Sequence, residues 1–160
     1  MKTNIKSKQE EYISKIKQLY SEIEKWVERK SFVAQKGEVE INEEIPGRYK
    51  VPSLSIQDQE GKQVAELRPI GAWIVGAKGR VDLIGQFDQN NLVYMEAGGP
   101  HIATSISIEG EKTEEKAKPL FKGIDQTGWY WIEDKRRGRA RLLNAELFMD
   151  LLSEVSDYEV

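Results

Sequence analysis

Five cationic side chains crowd into one stretch near the end of the chain: Lys135, Arg136, Arg137, Arg139 and Arg141. Guanidinium groups two residues apart on a strand share one face. Their planar forks of N–H donors suit phosphate and carboxylate groups. Gly138 lies among them, and Trp129 and Trp131 come just before. The pattern reads as a hairpin, with Trp129–Glu133 leading out, Gly138 supplying the turn and Arg139–Leu143 returning. Lys135, Arg136 and Arg137 then sit at its tip. Such a cluster can bind an anionic partner: a nucleic-acid backbone, a phosphorylated ligand or an acidic protein. It can equally pair with acidic residues of its own chain. The tryptophans pose a parallel choice. They pack in the core and rim, or they form an exposed platform that stacks a base or anchors a partner.

Asp82 is flanked by apolar Val81, Leu83 and Ile84, which points to burial. A buried carboxylate needs a partner, and Arg80 on the same strand face, or Arg68, can supply it. An ion pair is the plainer reading, and an active-site acid the sharper one. Gly76-Ala77-Lys78-Gly79 invites a phosphate-loop reading. It lacks the required glycine spacing, the Lys-Ser/Thr ending and a following helix, so a tight turn explains it better. His101 follows Gly98-Gly99-Pro100 and is a secondary candidate as a general base. No serine in a nucleophile-elbow pattern accompanies it. Asp58-x-Glu60-x-Lys62 and Glu109-x-Glu111-Lys112 resemble the carboxylate–lysine strings of metal-dependent phosphodiesterases. One spans an expected turn and the other opens an expected loop, so neither aims its groups rigidly.

Composition narrows the chemistry further. The 160 residues include no cysteine and one histidine. Disulfide scaffolds, thiolate metal sites and cysteine nucleophiles are thereby excluded, and so are multi-histidine metal centres within one chain. No metal and no cofactor is expected. The net charge of −3 argues against a protein that coats nucleic acid by bulk charge. That total averages a basic start, an acidic middle over residues 37–118 and the local arginine cluster. The start of the chain has no apolar secretory core, and no run approaches the roughly 18 apolar residues of a membrane span. A cytoplasmic protein without membrane contact is the expectation.

The elements that must hold these residues follow from periodicity. Tyr12, Ile16, Leu19, Ile23 and Trp26 recur at helical spacing beside Ile13, Tyr20 and Val27. They predict an N-terminal helix over 8–30, capped by Ser7 with Glu10, whose broad apolar stripe packs on a sheet or on a second copy. After Gly37, expected to mark a loop, the period becomes two. Turn signals fall at Gln59–Lys62, Lys78-Gly79 and Gln89–Asn91, with breaks at Pro69 and Gly98–Pro100. The polar run 109–118 reads as a mobile loop. Asn144 is the expected cap of a C-terminal helix over 144–153.

The expected fold is α+β and one domain over 1–160. A long N-terminal helix packs on an antiparallel meander of about seven to nine strands over 37–143, curled into a sandwich or partial barrel. A short C-terminal helix closes it. The expected function is a non-enzymatic binding module. It recognises a protein or other anionic partner through Lys135, Arg136, Arg137, Arg139 and Arg141 beside Trp129 and Trp131. Nucleic acid is the less favoured partner. A nucleic-acid-processing enzyme using acidic residues with the same arginines is one alternative, and a homodimer built on the N-terminal helix is the other.

Overall fold

The computed structural model describes residues 2–44, 47–72, 78–99, 101–106, 114–119, 121–134 and 136–158, with residues 2–5, 101–106 and 114–119 described by backbone alone. The chain opens with helix α1 (Lys2–Glu28). Strands β1 (Val33–Glu43), β2 (Gly47–Gln57), β3 (Gln63–Gly71), β4 (Arg80–Gly85) and β5 (Gln89–Met95) follow. Next come β6 (His101–Ile106), β7 (Glu114–Pro119), β8 (Gly128–Asp134) and β9 (Arg139–Leu142), then helix α2 (Ala145–Val155). The class is α+β, as the periodicities imply. Seven strands form one antiparallel sheet in the order β1-β2-β3-β4-β5-β8-β9, while β6 and β7 form a separate two-stranded sheet. The sheet does not close into a barrel: β1 and β9 are its two edges.

Both helices lie on one face. Tyr12, Ile16, Leu19, Tyr20, Ile23 and Val27 of α1 are buried against Leu54, Ile56, Leu67, Leu83 and Leu92 of the sheet. Phe148, Leu151, Leu152 and Val155 of α2 complete this core. Trp26 and Phe148 join the two helices with ring centroids 5.9 Å apart. The apolar stripe of α1 thus packs on the sheet of the same chain. On the opposite face a smaller cluster of Val93, Met95, Tyr130 and Ala140 is covered by Ile124. Successive strand residues point to opposite faces, so Trp129 and Trp131 look toward the helices and Tyr130 looks away.

Several boundaries depart from the expectation. The helix starts at Lys2, so Ser7 is an interior residue and does not cap it. Extending an established helix adds a hydrogen bond per residue at little cost, and nothing in residues 2–6 stops it. The helix ends at Glu28, close to the expected end near Lys30, and a turn through Ser31 follows. Ser31 takes φ +66°, and the Phe32 N–H reaches back to Val27 O at 3.0 Å, a left-handed stop usually given to glycine. Gly37 lies inside β1, opposite Ser53. A side chain there would meet Ser53 Oγ at 2.8 Å. Pro69 does not break β3; the strand passes through it with a register shift.

The turn expected at Gln89–Asn91 falls earlier, at residues 86–88. Asp88 Oδ1 accepts from Gln89 N–H there, while Asn90 and Asn91 take strand positions and accept hydrogen bonds from Trp131 and Arg80. Within the loop expected over 109–118, Glu114–Pro119 is strand β7, paired with β6 from His101↔Pro119 to Ile106↔Glu114. Backbone pairing decides a strand there despite the polar side chains. The remainder of that loop lies outside the described residues, as do Gly76-Ala77 and Trp73. The Asn144 cap is as expected, its Oδ1 accepting from Leu147 N–H at 2.8 Å.

Candidate functional site

β8 and β9 form the expected hairpin, with Trp131 opposite Arg141 and Ile132 opposite Ala140. Gly138 adopts φ +64° at the turn, a conformation that side-chain-bearing residues avoid. Asp134 organises the tip: its Oδ1 accepts the N–H groups of Arg136 at 3.0 Å and Arg137 at 3.1 Å. Its Oδ2 stands 3.8 Å from Arg137 Nε. One carboxylate is therefore spent on the turn and on a single arginine. Lys135 lies outside the described residues.

Arg139 and Arg141 are exposed and flank buried Ala140, so the two guanidinium groups share one face of the strand. Among the described residues neither they nor Arg136 has a carboxylate within 4 Å. The acidic residues answer other cations: Glu38 faces Lys50, Glu40 faces Arg48, and Asp157 reaches Lys62 at 3.2 Å.

Sequence reasoning missed one member of this cluster. The segment after β7 returns beside β9 and forms an isolated parallel bridge between Lys122 and Arg139. Lys122 N–H donates to Gly138 O at 2.6 Å, and Ala140 N–H donates to Lys122 O at 3.2 Å. The exposed Lys122 thus joins the arginines along the outer edge of the sheet. No motif announces this, because Lys122 and Arg139 are far apart in sequence and meet only through the chain's return.

The tryptophans do not form a platform. Trp129 is 8% exposed. Its Nε1 donates to Lys15 O at 3.3 Å, and its ring meets Tyr94 edge-on at 5.5 Å. It belongs to the core. Trp131 is half-buried and donates to Asn90 Oδ1 at 3.2 Å, so it borders the basic edge as a rim residue.

Asp82 is buried and paired. Arg80 Nε and Nη2 contact its two carboxylate oxygens at 2.8 and 2.9 Å, and Nη2 also reaches Asn91 Oδ1 at 3.2 Å. The carboxylate beside it raises the Arg80 pKa still further. This two-pronged contact makes Asp82 the ion-pair partner of Arg80. Arg68 lies opposite on β3 and stays exposed. Asp58 of the first carboxylate string accepts the N–H groups of Glu60 and Lys62 and so serves its turn. Glu109 and Glu111 lie outside the described residues, as does the side chain of His101. Among the described residues no three histidine, aspartate or glutamate side chains come together as a metal site. No helix among them is long and apolar enough to cross a membrane.

No protein-family model matches the chain, and neither a curated protein nor a solved structure is significantly similar to it.

Proposed function

We propose that the protein is a non-enzymatic binding module that takes an anionic partner on the basic edge of its sheet. The carrying observation is the set Arg136, Arg139, Arg141 and Lys122: exposed cations on one strand edge, with no carboxylate within ion-pair distance among the described residues. Exposed cations gain little from isolated surface pairs. Four or five on a fixed edge add their attraction to a matching anionic surface and speed its arrival. An acidic protein surface suits this edge better than a single nucleic-acid strand. Trp129 is buried, which removes one of the two rings beside the arginines from base stacking.

The test is partner capture from a lysate of the source cell with wild type and with Arg137, Arg139 and Arg141 all changed to Glu. The expected result is loss of acidic partners from the variant, together with release from wild type as salt is raised. An identical set of partners on both proteins rejects the edge as the site.

A further inference from the structure

The first turns of α1 and the residues flanking β4 and β5 border a groove of about 250 Å³ lined by Ser7, Lys8, Glu11, Lys15 and Lys78. Ser7, Lys8, Glu11 and Lys15 recur at spacings that put them on one face of α1. Lys78 comes from the opposite wall and is fixed through its backbone. Its N–H donates to Tyr94 O at 2.8 Å, and Tyr94 N–H donates to Gly79 O at 2.9 Å. Tyr94 also sets the helix wall, since the Lys15 ammonium stands 4.4 Å from the centre of its ring.

Lys15 decides what the groove can do. Its side chain is only 20% exposed, and its ion pair is a 4.0 Å contact to Glu11 Oε2, on a side chain 65% exposed. With the stem largely covered and the ammonium at the groove, a long contact to a well-hydrated carboxylate leaves N–H groups free to donate to an anion. The Tyr94 ring attracts the cation but offers no lone pair to its N–H groups. Lys78 is more open: its contact to Glu96 Oε1 is also long, 3.9 Å, and both side chains are exposed. Glu11 and Glu96 stand on long contacts at the rim and can turn to solvent. The Lys15 ammonium is anchored by packing.

We propose that this groove is a site for a compact phosphate group carrying two or more negative charges. Lys15 and Lys78 hold it, with Lys8 and the Ser7 hydroxyl lining the same groove. Free phosphate, diphosphate and a phosphomonoester share this chemistry. The site uses α1 and the turn before β4, so it stands or falls independently of the basic edge at β9.

Calorimetric titration tests it, with inorganic phosphate, pyrophosphate and glycerol phosphate in turn, at an ionic strength held constant with sodium chloride. Saturable binding of at least one is expected, and the strongest arm tells a free anion from an ester. Lys15→Met and Lys78→Met each weaken binding about tenfold, the worth of one charged hydrogen bond. Glu11→Gln tightens it, because it removes a carboxylate that repels the anion from the same groove wall. The triple arginine variant binds as wild type. Lys78 is exposed, so its variant keeps the test sound if Lys15→Met fails to fold. Absence of saturable binding overturns the proposal. So does wild-type affinity in Lys78→Met, or loss confined to the arginine variant.

Discussion

Asp82 and Arg80 stand two residues apart on β4, and a strand's period of two brings their side chains together on the face away from the helices. Asp82 is 3% exposed, whereas the Arg80 side chain keeps 30% of its exposure. Removing the carboxylate strands a mostly desolvated guanidinium. Asp82→Ala is expected to cost about 3 kcal/mol, the low end of the range for breaking a buried pair because Arg80 retains some water. Urea unfolding measures this, and a loss below about 0.5 kcal/mol, the usual size of a surface substitution, would show the pair to be incidental. This contact was legible in the sequence because both partners lie on one strand. Asn90 was not. An Asn-Asn pair reads as a turn, yet Asn90 and Asn91 serve as hydrogen-bond acceptors for Trp131 and Arg80 from neighbouring positions. Lys122 escaped for the same reason: its neighbour is set by pairing between distant segments, which no local pattern encodes.

Between elements, the grip of β4 on α2 depends on a missing side chain. A Cβ at Gly85 would stand 2.1 Å from Val155 O and 2.5 Å from Val155 C. The end of α2 therefore lies directly on the β4 backbone, and Phe87 N–H donates to the same Val155 O at 2.9 Å. Gly85→Ala must push a helix end off a strand, since no flexible side chain can yield instead. The expected cost is about 1–3 kcal/mol, the range for overpacking, read as a lowered melting temperature. An unchanged melting temperature would mean that α2 docks loosely. Element type was legible wherever the period was long: α1 from its stripe, α2 from Asn144 and its leucines, and β8 from alternating Trp129, Tyr130 and Trp131. Element ends were less so. α1 begins at Lys2, well before the expected residue 8, and β7 is polar enough to resemble a loop until its partner strand is known.

Across the whole molecule, tyrosine hydroxyls tie α1 to the sheet. Tyr12 donates to Arg80 O at 2.6 Å and accepts from Gly71 N–H at 3.1 Å. Tyr20 donates to Pro52 O at 2.9 Å. Burial is the main cause that pushes both hydroxyls well above their ordinary value of 10.0. The folded protein thus holds these protons more tightly than the unfolded chain. Their stabilising effect is complete below pH 10 and is lost as the pH rises beyond it, because the unfolded chain ionises first. Each tyrosine is expected to remove up to about 1.4 kcal/mol per pH unit above that point. Denaturant unfolding between pH 8 and 12 checks this: Tyr20→Phe flattens the alkaline fall, and an unchanged slope would contradict it. Another feature at this scale is the detour between β5 and β8. Its two ends are clasped where they leave the sheet. Gly98 N–H donates to Ile124 O at 2.7 Å, and Ala97 N–H donates to Thr127 Oγ1 at 3.0 Å. Met95 and Gly128 already face each other below the clasp. Lengthening or shortening a closed excursion changes its closure entropy only slowly. The β6–β7 pair, beyond the clasp and short of the Phe121 and Lys122 contacts with the sheet, is therefore a natural cassette, where evolution or an engineer can exchange sequence while the seven-stranded scaffold keeps its register.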